Sequence, residues 1–79
     1  MEIKLSRHSK NNIRLYGITQ TEIEQCINNP DKKDVEGKYL IAYKVFPGRF
    51  SDLPLKVVYV IEQNYFVITT YPLKKCYWR

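Results

Sequence analysis

The spacing of apolar and polar residues changes character partway along this 79-residue chain. Up to about residue 30 the apolar positions recur at helical intervals. From Val35 onward β-branched and aromatic residues alternate with polar ones. Ser6 can accept from the first turn of a helix reaching about Tyr16, where Gly17 supplies a left-handed stop. Thr19 and Glu22 then match a capping box, and Ile18 with Ile23 matches the hydrophobic staple that sets how a chain enters a helix. The second helix buries Ile23, Cys26 and Ile27, and the run Asn28, Asn29, Pro30 ends it, because a residue before proline is pushed out of helical geometry. The first helix is less apolar, with Ile13 and Tyr16 on one side and His8, Asn12 and Leu15 on another, so part of it meets solvent or a ligand.

The second half predicts strands at about 38–46, 55–62 and 65–71, with a short one near 34–36. Gln63 and Asn64 are read as a tight two-residue turn, and the Pro47 to Pro54 region as a longer excursion. That turn sets a register in which Ile61 faces Phe66, Tyr59 faces Ile68 and Val57 faces Thr70. Tyr39, Ile41, Tyr43 and Val45 join the same apolar side, and their alternates leave Lys38, Lys44, Lys56 and Tyr71 together on the other. The expected fold is α+β: one domain spanning residues 1–79, two N-terminal helices packed on one face of a three- to four-stranded antiparallel sheet, and a second face open to a partner.

Composition adds the nature of that partner. A formal net charge of +5 sits on a chain just large enough for one small core. Arg7, His8, Lys10 and Arg14 make the start basic. Tyr71, Lys74, Lys75, Tyr77, Trp78 and Arg79 interleave cations with flat rings after the last acidic residue, Glu62. Cations neutralise phosphates and rings stack on bases, so the pattern points to nucleic acid, and to RNA in particular. Lys74, Lys75, Trp78 and Arg79 are the leading binding residues, with Arg14, Lys44 and Arg49 as further cations; the plain alternatives are a solvated exterior and a Trp78 that plugs the core. Cys26 and Cys76 do not form a disulfide framework, and no Cys/His spacing fits zinc, so no metal and no cofactor is expected. Without an apolar run near 18 residues or a cleavable leader, the expectation is a cytoplasmic protein that does not enter a membrane. Paired carboxylates, a phosphate-cradling glycine loop and a serine elbow are all missing from the sequence, which removes support for glycosidase and protease chemistry.

The phrase Ser6, Arg7, His8, followed by Arg14, Gly17, Ile18 and Thr19, a helix ending at Asn29 and Pro30, and strands ending in Thr69, Thr70 and Tyr71, resembles a small bacterial and archaeal domain family of unknown function. In element order that family is similar to the RelE and ParE toxins of type II toxin-antitoxin modules, BrnT included. Asn12 and Tyr16 stand where the family often has arginine. The resemblance implies a metal-independent endoribonuclease that attacks with the ribose 2′-hydroxyl of RNA, including ribosome-bound mRNA, and is restrained by a cognate acidic antitoxin. Under it His8, the only histidine of the chain and so a residue of the type best suited to proton transfer, would move protons. Lys56 would stabilise charge on the phosphate, and Tyr71 would orient the phosphate or stack on a base. The plainer reading of each is a polar helix residue, a solubilising lysine and a strand aromatic. The alternative function is a non-catalytic nucleic-acid- or protein-binding module of the same fold, and a homodimer through a strand edge is a further expectation.

Overall fold

The computed structural model describes residues 2–76, so Tyr77, Trp78 and Arg79 lie outside the described residues. Its elements run β1 (Ile3–Leu5), α1 (Arg7–Tyr16), α2 (Gln20–Asn28), β2 (Lys32–Glu36), β3 (Tyr39–Val45), a single 3-10 turn (Phe50–Asp52), β4 (Pro54–Ile61) and β5 (Tyr65–Pro72). The class is α+β as expected, but the sheet has five strands in the order β1-β5-β4-β3-β2. It is mixed rather than wholly antiparallel, because β1 runs parallel to β5, Leu5 lying beside Val67.

Local chemistry sets the helices. Ser6 Oγ accepts from the Ser9 N–H at 3.0 Å, and Gly17 ends α1 in the left-handed region at φ 66, where a Cβ would be strained. In α2 the Thr19 N–H donates to Glu22 Oε1 (2.9 Å) and the Glu22 N–H donates to Thr19 Oγ1 (3.2 Å), closing the capping box. Ile18 and Ile23 are both in the core, as are Cys26 and Ile27 of the predicted stripe. Ser6 also closes the edge of the sheet where β1 leaves it. Its N–H donates to the Val67 carbonyl (3.0 Å) and its hydroxyl to the Ile68 carbonyl (2.6 Å), so α1 continues along β5 in place of a strand.

The helices cover one face of the sheet, over Leu40, Ala42, Leu55, Val57, Tyr59 and Val67. Residues directly opposite in a ladder share a face, and two parities differ from expectation. In β3 it is Leu40, Ala42 and Lys44 that pair with Tyr59, Val57 and Leu55 on the covered side, which turns Tyr39, Ile41, Tyr43 and Val45 outward. Ala42 is fully buried, and its small side chain leaves room for α2 to approach. In β5 the expected register survives at Val57 and Thr70, but a bulge between Val58 and Tyr59 on the β4 ladder leaves Ile68 without a partner. Beyond it Tyr59 meets Val67 and Ile61 meets Tyr65, and the connection becomes the three residues 62–64.

Both outer strands are blunted against edge pairing: β2 carries Lys32, Lys33, Asp34 and Glu36, and β1 is three residues long. No helix of the described residues is long and apolar enough to cross a membrane.

Candidate functional site

The sheet face opposite the helices, on which Ile41 and Val60 are buried and Tyr43, Lys56 and Tyr71 half-buried, is walled on one side by α1, which lies along β5. Ile13 points from this helix into the core, whereas Asn12 reaches the other way: its Nδ2 lies 3.5 Å from Thr69 Oγ1. Residues four apart on a helix share a side, so His8, Asn12 and Tyr16 form a stripe along the rim. Between the end of this stripe and the sheet lies a pocket of about 360 Å³, lined by Tyr16, Tyr43, Lys56, Tyr71, Pro72, Leu73 and Lys74.

Register explains the composition of the pocket. Lys56 of β4 is opposite Tyr43 on one side and Tyr71 on the other, so the ammonium stands between two phenol rings, 6.0 Å from the Tyr43 centroid and 5.5 Å from that of Tyr71. A cation over a ring face is held by the ring quadrupole, more strongly as water is excluded. Burial of Lys56 favours its neutral form. Hydrogen bonding and charge interaction with Tyr71, then the interactions with Tyr43 and Glu36, outweigh that and leave its pKa raised. Lys56 is therefore a fixed ammonium at neutral pH. Lys32, Lys44 and Arg49 each meet a carboxylate, but among the described residues Lys56 makes no such ion pair.

Of the residues singled out in the sequence, the fold brings Lys56, Tyr71 and Lys74 to this pocket. His8 is exposed at the far end of the stripe, its Nε2 3.5 Å from Asn12 Nδ2; two turns of helix separate it from Tyr16, about 12 Å of rise. Arg14 and Lys75 are exposed. Lys44 does not join this face as its expected parity implied. Its Nζ donates to the Asn29 carbonyl at 2.9 Å and lies 3.9 Å from Asp31, a cation at the C-terminal end of α2 where the helix dipole favours it.

Arg49 is likewise engaged within the fold. Its Nε donates to Glu22 Oε2 (2.7 Å), and its Nη2 to Glu22 Oε1 (3.0 Å) and the Gly17 carbonyl (2.6 Å). The hydrogen bonds from Arg49 hold the Glu22 carboxyl down at about 2 against the opposing effect of burial, with Thr19 contributing. This clamp anchors a loop in which three successive non-glycine residues, Phe50, Ser51 and Asp52, have φ of 53, 56 and 59. Such a left-handed turn costs on the order of 1 to 2 kcal/mol per residue. It is secured by the Gly48 N–H donating to Asp52 Oδ1 (2.7 Å) and by the T-shaped contact of Phe50 with Phe46. Cys26 offers no nucleophile, since burial pushes its thiol up to about 12.

Tyr16 and Tyr43 are the pocket aromatics that sequence reading missed, with Pro72 and Leu73 beside them. For Tyr16 the signal was its place four residues after Asn12 on one helical stripe. For Tyr43 it was the neighbouring Lys44, whose use by Asp31 and the end of α2 forces the tyrosine to the other side. No group of three or more His, Cys, Asp or Glu side chains suited to a metal occurs among the described residues.

No curated protein and no solved structure matches the chain. A family model described as a domain of unknown function (DUF4258) matches residues 5–72, from the last residue of β1 to the end of β5, and the chain belongs to that family.

Proposed function

We propose that this protein binds single-stranded RNA on the sheet face opposite the helices, with a phosphate on Lys56 and a base against the rings of Tyr16, Tyr43 and Tyr71. The observation that carries the reading is the half-buried ammonium held between two phenol rings rather than against a carboxylate. A phosphate supplies the close anion that Lys56 does not meet among the described residues, and charge-assisted contacts of this kind are about twice as strong as neutral ones. Base stacking on an aromatic side chain adds roughly 1 to 3 kcal/mol, and an unpaired base reaches a recessed ring more readily than one inside a duplex. The phenol hydroxyls and the Asn12 amide are partners for a ribose 2′-hydroxyl.

Fluorescence anisotropy with a labelled oligouridylate tests this. Wild-type affinity falls steeply with salt, and Lys56→Gln weakens binding by about tenfold while lowering the salt slope by about one phosphate's worth. Equal affinity of Lys56→Gln and wild type would remove the proposal.

A cleaving toxin is the second reading, favoured by one feature: the Lys56 ammonium stands beside the Tyr71 hydroxyl, a cation and a proton-bearing group on the same phosphate site. In that chemistry the 2′ oxygen loses its proton and bonds to phosphorus while the P–O5′ bond breaks. The 5′ oxygen takes up a proton, leaving a 2′,3′-cyclic phosphate. The third group, a proton acceptor, would have to be His8 at the far end of the α1 stripe. Incubation with RNA and with its 2′-deoxy counterpart separates the readings: cyclic-phosphate products from RNA alone support cleavage. RNA that stays intact while bound leaves only the binding module. Growth arrest on expression, relieved by Lys56→Gln or by an acidic antitoxin, is the cellular form of the same test.

A further inference from the structure

A second groove, of about 690 Å³, adjoins the Lys56 pocket and shares Tyr16, Pro72, Leu73 and Lys74 with it. Beyond that shared wall it is lined by Leu15, Arg49, Phe50, Ser51 and Leu53. The Arg49 clamp and the left-handed turn set this far wall, and the Arg49 guanidinium lies 4.7 Å over the Phe50 ring. Leu15 is 72% exposed and Tyr16 44%, an unusual degree of exposure for apolar side chains converging on one concavity.

Together the two grooves are lined by the rings of Tyr43, Tyr71, Tyr16 and Phe50 and by the ammonium groups of Lys56 and Lys74, the Arg49 guanidinium being held by Glu22. We infer that they form one track, and that the natural ligand is a strand of several nucleotides that enters at Lys56, crosses the Tyr16 and Lys74 saddle, and lays its next bases along Leu15 and Phe50. This rests on the RNA reading of the Lys56 pocket and extends it from one nucleotide to a run. Continuity with that pocket, Lys74 on the shared wall and the apolar lining beyond it fit a polyanion with flat apolar groups, which a single nucleic-acid strand is.

A length series tests the track on the whole chain. Uridine 5′-monophosphate and oligouridylates of two, four and six residues are titrated by calorimetry into wild type, Lys56→Gln and Leu15→Glu. Binding tightens from the monophosphate to the four-residue strand by at least about fivefold, the factor one stacked base supplies. Leu15→Glu abolishes that gain without altering monophosphate binding, because Leu15 lines only the second groove. Lys56→Gln weakens every length. A circular dichroism melt confirms that both variants fold, as the exposure of Leu15 leads one to expect. Monophosphate and four-residue strand binding equally well overturns the track and leaves a mononucleotide pocket. So does an unaffected Leu15→Glu variant, or a leucine-patterned glutamate-rich peptide that occupies the second groove while the RNA remains bound at Lys56. Failure of every length to bind overturns the RNA reading itself.

Discussion

Replacing Glu22 by glutamine isolates the clamp that joins the helices to the 47–53 loop. The Glu22 carboxylate accepts two hydrogen bonds from Arg49 and two from Thr19, its N–H and its hydroxyl, at 2.7 to 3.1 Å. Its pKa falls from 4.5 to about 2. A carboxylate with a depressed folded-state pKa stabilises above its unfolded value, and that stabilisation is lost as pH falls through the folded one. The window here is therefore about pH 4.5 down to about 2. At about 1.4 kcal/mol per pKa unit the full shift is worth about 3 kcal/mol, and the solvent on the Arg49 side reduces this to about 2. Glu22→Gln keeps a side-chain oxygen for the cap but forfeits the charge. It should lose about 2 kcal/mol at pH 7, a fall of roughly 10 °C in melting temperature for a domain of this size. The assay is urea unfolding followed by circular dichroism from pH 7 to pH 2. Wild type should approach the variant's stability as the pH drops through the window. Two curves that stay parallel to pH 2 would show that the clamp is not an ionic one.

Further predictions follow from the same contacts. Lys44→Met removes the cation at the end of α2 and its bond to the Asn29 carbonyl, and should cost about 1 kcal/mol in chemical denaturation; an unchanged midpoint would oppose that role. Gly17→Ala keeps ample space for its methyl group but forces alanine to φ 66, so a destabilisation of about 1 kcal/mol should come from backbone strain alone. Cys26, buried with its thiol raised to about 12, should resist a thiol reagent at pH 8 in the folded protein and react once urea is added. Equal labelling in both states would place it at the surface instead.

The helical half was legible because its signals are local. Ser6, Gly17, the Thr19 and Glu22 pair and the Ile18 and Ile23 staple each act within a few residues, and each does in the structure what its spacing implies. The sheet was legible in element order but not in parity. Two apolar rows compete in β3, and only the approach of α2 over Ala42, together with the pairing of Lys44 and Asp31, turns Tyr43 outward. The bulge at Ile68 carries no mark in the sequence, and β1 is three residues whose partner lies some sixty positions away. The site divides in the same way. Lys56 and Tyr71 could be placed together from one hairpin register, whereas Tyr16, Tyr43 and the use of Arg49 within the fold depend on contacts between distant segments.

The location of the ligand is the sharpest question. Amide chemical shifts recorded while a four-residue oligouridylate is titrated into isotope-labelled protein answer it residue by residue. Tyr43, Lys56, Tyr71 and Lys74 should move first and furthest, with Tyr16 close behind, while β2 and the outer side of α2 stay still. Movement centred on β2 or α2, with the Lys56 neighbourhood unchanged, would contradict a phosphate site on the face opposite the helices.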